Sequence, residues 1–310
     1  MIGQKAYKKE LSLTIYTHML RMHKPELNIP KMNLLVFGPS GTGKTSGVKL
    51  LVDNLGVRSG ICNGERLTPE GIQGAKLTDP LTRALGKKHD NMVYVCDEFD
   101  KIFHNDEFDG MQHEFLSLLD EKNVITFPTT FGSFREYREI PSRNITCILC
   151  GKFEALGKTV EDRLGIHKVG FNTERQNGYT QDELYARVTM NDLRTVLNSD
   201  ELCRRIGSIV GVSQLSEEEL VSILVDTRDS AFCRYQAFFT AHGAKMKLTK
   251  DGAQLIVGRA CSLYPDLGVS GLENVVRDLL KEEMMEADSL KGRSIVIDES
   301  YIRKRLEQET

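Results

Sequence analysis

The 310-residue chain has no surplus of charge: 41 Lys and Arg face 44 Asp and Glu, a formal net charge of -3 at pH 7. That balance gives no global electrostatic case for nucleic acid or an anionic membrane as partner. Apolar runs of membrane-spanning length are missing, and the N-terminus carries no apolar stretch of a secretory signal. A soluble, cytoplasmic protein is expected. Cysteine is sparse, seven in all; the odd number, mostly inside apolar segments, reads as buried reduced thiols. Cys147 and Cys150 form a CxxC inside NITCILCG, but no second Cys/His pair lies nearby. The run has the character of a core strand, so neither zinc nor redox chemistry is expected there. No internal repeat or low-complexity segment is present, and the length suggests two domains.

What is present is a phosphate-binding signature in NLLVFGPSGTGKTSGVKLLVDNL. Leu34 to Phe37 read as a short buried strand running into a glycine-rich turn and then a helix. The pattern G-x-x-x-x-G-K-[ST], the Walker A motif, is satisfied from Gly38 through Pro39, Ser40, Gly41, Thr42, Gly43 and Lys44 to Thr45, with Ser46 following. The glycines let backbone N–H groups turn inward toward an anion, and the opening helix adds the positive end of its dipole. Lys44 is placed to reach the outer phosphates of a nucleotide, and Thr45 to ligate magnesium. ATP and Mg2+ are therefore the expected cofactors.

A second strand, Val93 to Cys96, ends at Asp97 and Glu98. Ligands in open α/β sheets collect at the carboxyl ends of strands. Asp97 suits a magnesium site and Glu98 the polarisation of an attacking water, an arrangement for hydrolysis rather than binding alone. Along the rest of the chain, Lys5–Met22 reads as a helix with Leu11, Ile15, Met19 and Met22 on one face. Residues 60–75 read as loops around a short helix, 108–121 as a helix, and 123–144 as a polar excursion before a third core strand. Residues 157–185 show little periodicity. From Ser216 helices dominate, and Ser216 with Glu219 makes a capping box. A short strand, RSIVIDE, and a charged tail close the chain. The fold class expected is α/β: a P-loop domain with a parallel sheet flanked by helices over residues 1–214, then a smaller, mainly helical domain over 215–310.

Taken in order, these segments resemble the AAA+ module of ClpX, the protein-unfolding ATPase of the ClpXP protease. MIGQKAYKKELSLTIYTHMLRM is similar to the family's opening helix, LLVFGPSGTGKT and VYVCDEFDKI to its nucleotide motifs, and MQHEFLSLLDE to the helix after the second. ITCILCGKFEAL resembles its strand ending in CGGAFxGL, and LSEEELVSIL and VIDESYI the start and end of its small domain. The chain starts at the IGQ segment, so the resemblance implies absence of the family's N-terminal zinc-binding domain. It also implies that Ile2 lines an adenine pocket. Arg205 falls where the family has an arginine that reaches a neighbouring subunit's nucleotide, although the adjacent Arg204 leaves the register open by one residue. Implied with that arginine are a homo-oligomeric, hexameric ring and protein substrates. Val169, Gly170 and Phe171 occupy the region of the loop that docks on the peptidase ClpP; a phenylalanine packing on its own domain is the other reading.

Three departures stand beside the matches. Where the family's substrate-gripping pore loop is G-Y-V-G, this chain has Gly71, Ile72, Gln73 and Gly74, so the aromatic is gone. The family's sensor segment G-A-R-G-L-R is GVSGLE here, with Ser270 and Glu273 in place of the arginines. Beside a γ-phosphate, Glu273 would repel by roughly 1–4 kcal/mol; Arg277 lies one turn further on. The basic Arg-Lys-His loop is not recognisable between Thr126 and Asn144. Two function classes therefore compete: an ATP-driven unfoldase feeding a ClpP-like peptidase, and a ClpX-derived regulatory subunit that uses nucleotide as a switch. A DNA-directed AAA+ loader is a third, disfavoured by the lack of net positive charge.

Overall fold

A computed structural model describes residues 1–69, 73–104, 108–130, 136–165 and 179–308. The chain divides into two compact units, one of residues 4–38 and 44–213, the other of residues 1–3, 39–43 and 214–310.

The larger unit opens with helix α1 (Lys5–His23), followed by strand β1 (Asn33–Phe37), helix α2 (Lys44–Asn54), strand β2 (Ser59–Asn63), helix α3 (Asp79–Leu85) and strand β3 (Met92–Asp97). Helix α4 (Phe108–Leu119), strands β4 (Val124–Pro128), β5 (Tyr137–Pro141) and β6 (Ile145–Gly151), helices α5 (Glu154–Arg163), α6 (Gln181–Tyr185), α7 (Met190–Leu197) and α8 (Asp200–Ile206), and strand β7 (Gly207–Gly211) complete it. Five strands form one parallel sheet in the order β2-β3-β6-β1-β7. The uninterrupted apolar runs of β1, β3 and β6 follow from burial of both sheet faces. Leu34 and Val36 pack with Tyr7, Leu11 and Ile15 of α1 and Val48 and Val52 of α2. Leu35 and Phe37, pointing the other way, pack with residues of α3, α4 and α8.

Several sequence expectations are corrected here. Residues 59–63 are the edge strand β2, half-buried, not loop around a helix. The polar excursion contains an antiparallel pair, β4 with β5, in which Ile125, Phe127 and Ile140 face the core. The buried face of α1 is Tyr7, Leu11, Thr14, Ile15, His18 and Arg21, while Met19 and Met22 are half-buried. Its polar members are only partly satisfied inside: Arg21 donates to the Thr146 hydroxyl at 2.6 Å and to the Pro30 carbonyl at 3.2 Å, and His18 Nδ1 lies 3.0 Å from that hydroxyl, while His18 Nε2 and Arg21 Nε have no partner among the described residues. Burial, reinforced by the Arg21 charge, lowers the His18 pKa to about 4.

The smaller unit contains helices α9 (Glu217–Asp226) and α10 (Ala231–Ala241), strand β8 (Lys245–Leu248), helices α11 (Lys250–Leu263) and α12 (Val269–Met285), strand β9 (Ser294–Ile297) and helix α13 (Glu299–Gln308). Residues 217–241 form two helices and not one, because Ser230 caps a new helix by accepting the Cys233 N–H at 3.1 Å. The Ser216–Glu219 capping box is present. Strands β8 and β9 pair in parallel, and the charged tail is helix α13. Among the described residues no helix is long and apolar enough to cross a membrane. All seven cysteines are free thiols; Cys96, Cys147, Cys150 and Cys203 are buried.

Candidate nucleotide site

Within the larger unit, the residues expected to act on a nucleotide gather at the carboxyl ends of β1, β3 and β6. Gly38, directly after β1, donates its N–H to the Gly151 carbonyl at the end of β6, 3.2 Å away. Its φ is +140°, and a Cβ there would lie 2.4 Å from the Val212 carbonyl oxygen, so only glycine fits. Lys44 opens α2 and donates Nζ to the Gly38 carbonyl at 2.7 Å, keeping the ammonium at the mouth of the loop. Burial lowers its pKa, and the charges of Asp97 and Asp100 oppose that shift. Thr45 hydrogen-bonds the buried thiol of Cys150, whose pKa burial pushes up to about 12. Ser46 is exposed.

At the end of β3, Asp97 Oδ1 accepts the Glu98 N–H at 3.0 Å. Glu98 adopts φ +54°, a left-handed conformation that costs a non-glycine residue about 1 kcal/mol or more and turns its side chain off the strand direction. Its Oε2 accepts from Asn63 Nδ2 at 2.8 Å, and Asn63 stands directly opposite Asp97 in the ladder. The Asn63 oxygen in turn accepts the Glu65 N–H at 2.9 Å, which fixes the amide orientation. A Cβ on Gly64 would lie 2.5 Å from the Glu98 carbonyl oxygen. Sequence reading missed Asn63: its one signal was a side-chain amide at the end of a strand that itself went unread.

Thr45 and Asp97 offer a hydroxyl and a carboxylate, hard oxygens of the kind magnesium takes when phosphates and water supply the rest of its shell. The donor set therefore fits the expected ion.

Two further residues hold this constellation. The buried Tyr7 hydroxyl donates to the Lys44 carbonyl, tying α1 to the start of α2. Gln4 exchanges two hydrogen bonds with Ser213, donating Nε2 to its carbonyl at 2.7 Å and accepting its N–H at 3.2 Å.

The loop residues Pro39, Ser40, Gly41, Thr42 and Gly43 group with the smaller unit. Thr42 is buried and donates to the Pro39 carbonyl at 2.8 Å, closing the turn on itself. The Val269 N–H at the start of α12 donates to the Gly41 carbonyl at 3.3 Å, and a Cβ on Gly41 would lie 2.0 Å from the Leu267 carbonyl oxygen. Ile2 is half-buried in the same unit, and Gly3 beside it has φ +65°, a left-handed conformation that favours glycine. Ser270 is exposed. Glu273 pairs with Arg234 at 3.1 Å, so its carboxylate is balanced within its own unit; Arg277 pairs with Asp278 at 3.3 Å.

Arg205 lies in the larger unit at the end of α8. Its Nε donates to Asp120 Oδ2 at 2.9 Å, Nη2 makes an ion-pair contact with the same oxygen at 2.9 Å, and Nη1 donates to Glu201 Oε1 at 2.6 Å. Burial alone would lower its pKa; the Glu201 and Asp120 carboxylates outweigh that and hold it above the ordinary value. Arg204, next to it, is exposed. Of the pore-loop residues, Gly71 and Ile72 lie outside the described residues; Gln73 and Gly74 are exposed. The foot of that loop is closed by Thr68 N–H donating to the Ala75 carbonyl at 2.9 Å and by Lys76 Nζ donating to the Pro69 carbonyl. Val169, Gly170 and Phe171 also lie outside the described residues.

Comparison with known proteins matches residues 34–167 to the ATPase family associated with various cellular activities (AAA). Relatives along nearly the full chain are ATP-binding subunits ClpX of the ATP-dependent Clp protease. The Treponema denticola protein is 28% identical, covering 96% of this chain and 77% of its own. The Porphyromonas gingivalis protein is 26% identical over 99% and 79%. ClpX 3 of Methylococcus capsulatus is 28% identical over 96% and 76%.

Proposed function

Because this chain is a ClpX-like AAA+ ATPase that binds and hydrolyses ATP, we propose that it spends the nucleotide on unfolding or remodelling other proteins, as a hexameric ring in the cytoplasm. The observation that carries this reading is the grouping of Lys44, Asp97 and Glu98 at the carboxyl ends of β1 and β3, the parallel strands on either side of β6, with Glu98 set by Asn63. Lys44 and the backbone N–H groups of residues 38–45 hold the phosphates. Thr45 and Asp97 would hold a magnesium ion, which when bound would supply charge neutralisation on the transferring phosphoryl group. Glu98 keeps Oε2 on Asn63 and turns Oε1 to the attacking water, taking its proton as the water oxygen bonds to the γ-phosphorus and the bond to the β–γ bridging oxygen breaks, with ADP as the leaving group. Arg205 of one subunit reaches the nucleotide of the next, and Gly71 to Gly74 contact the substrate chain. Val169 to Phe171 serve as the anchor for a ClpP-like peptidase. A nucleotide-switched regulatory subunit is the second reading, favoured by the missing pore aromatic at Ile72 and the acidic Glu273 in place of a sensor arginine.

The test is the ATPase rate as a function of protein concentration, with and without an unfolded protein and ClpP. Specific activity that rises with concentration and is stimulated by the unfolded protein supports a working ring. A rate per subunit that is flat with concentration and indifferent to unfolded protein rejects it in favour of the switch.

A further inference from the structure

We propose that Asp120 is the positioning residue for Arg205, and that Lys31 and Asn33 at the foot of β1 brace both of them; the proposal rests on Arg205 acting in trans. Arg205 has five N–H donors, and three are engaged by Asp120 and Glu201, two in hydrogen bonds and one, on Nη2, in an ion-pair contact. Two remain for an oxyanion, on a side chain that is one-quarter exposed. The two anchors differ. Glu201 is an exposed partner one helical turn away, of the kind that contributes little. Asp120 takes the Nε edge of the guanidinium, which fixes the plane in which the tip points.

Asp120 is itself braced. Its Oδ1 accepts the Lys122 N–H at 2.7 Å, setting the rotation of the carboxylate. Lys31 Nζ donates to the carbonyls of Leu118, of Asp120 at 3.1 Å and of Ser142 at 3.0 Å, so the last turn of α4 closes on a single ammonium. Asn33 Nδ2 donates to the Leu119 carbonyl at 2.9 Å and to the Arg205 carbonyl at 2.7 Å. Its Oδ1 accepts the Cys147 N–H of β6 at 3.0 Å, so this buried amide has a partner on both sides. Asn33 thus joins the backbone bearing Asp120 to the backbone bearing Arg205, from the strand whose far end carries Gly38. A structural ion pair would need only Asp120 and Arg205 to meet. Here both backbones are fixed as well, which is what a group working at a distance requires: a shift of 1 Å in such a group costs on the order of 100-fold in rate.

The experiment uses mixed rings of two inactive full-length variants. Arg205→Ala subunits keep an intact hydrolytic site but offer no arginine; Glu98→Gln subunits offer the arginine but hydrolyse poorly. Mixing them is expected to restore ATPase activity. Asp120→Asn placed in the Glu98→Gln subunit, where it acts on the donated arginine, is expected to cut the restored rate at least tenfold with KM for ATP unchanged. The same substitution in the Arg205→Ala subunit should leave that rate within twofold. Glu201→Gln in the donor should also change it less than twofold. Equal loss from both placements of Asp120→Asn overturns the proposal, since that is the signature of a merely structural residue; so does no loss from the donor placement. If Asp120→Asn does not fold, Asp120→Glu, which keeps the charge and displaces it by one methylene, carries the same asymmetric test. Failure of the two parent variants to complement at all refutes Arg205 as a trans-acting group, and the positioning role with it, an outcome distinct from symmetric loss.

Discussion

Glu98 is set by a single side-chain amide. Asn63 gives it a charge-assisted hydrogen bond, of a kind worth about 1.5–3 kcal/mol. Asn63→Ala should therefore lower kcat by roughly tenfold while leaving ATP affinity unchanged, since the amide touches the carboxylate and not the phosphate loop. Steady-state rates with a separate equilibrium titration of ATP separate the two quantities; a loss of affinity with kcat intact would show that Asn63 holds the site's shape instead. His18 makes a pH prediction. Its folded pKa, about 4, lies below the usual histidine value, so between about pH 6.5 and 4 the unfolded chain binds a proton that the native state refuses. Stability is unaffected above that window and falls as pH drops through it, by up to about 3 kcal/mol from this one group. Urea unfolding at pH 7 and 4.5 measures the loss, and His18→Asn should reduce it. Neither residue was legible as important in the sequence, because their partners, Glu98 for Asn63 and Thr146 for His18, lie 35 and 128 positions away.

At the scale of elements, what could be read depended on burial. Strands β1, β3 and β6 are covered on both faces and declare themselves as apolar runs. The edge strand β2, SGICN, is half-buried and carries a serine and a glycine at its start, so its composition looks like loop. In β4 the alternation that puts Ile125 and Phe127 inward was there to be seen, but Val124 outward and Pro128 at the end obscured it. The phosphate-loop pattern was fully legible because its chemistry lies in consecutive residues; the tie of Tyr7 to Lys44 spans 37 positions and was not. The pore loop carries the element-scale prediction. Grip on a substrate chain scales with rigid apolar contact area. Replacing Ile72 by Tyr and Gln73 by Val should raise the number of stable test domains unfolded per ATP several-fold, with basal ATPase much less affected. Unfolding of a stable domain per ATP hydrolysed, measured for both proteins, decides it: no gain moves the balance to the nucleotide-switched reading.

At the scale of the whole molecule, the prediction concerns assembly. Arg205 has two guanidinium N–H groups left without an acceptor among the described residues, and the proposed function gives them one in another subunit. Glu98→Gln slows hydrolysis by about 100-fold to 10,000-fold while keeping ATP bound. It is expected to accumulate as an oligomer at saturating ATP, since an arginine acting in trans needs a second subunit, and as a ring of about six if the resemblance to ClpX extends to assembly. Sedimentation velocity reads this directly, and a monomer under those conditions removes the ring from the proposal.

The placement of the thiols turns the protein into its own unfolding gauge. Cys96, Cys147, Cys150 and Cys203 are buried in the larger unit, while Cys62, Cys233 and Cys261 are only half-buried. A thiol reagent applied to the native protein reaches the second group first, and the first group only as fast as the sheet opens. The four slow modifications therefore time the opening of β3, β6 and α8, without a label being introduced. Mass spectrometry of a labelling time course, taken during ATP turnover and at rest, would then reveal whether the sheet loosens while the protein works.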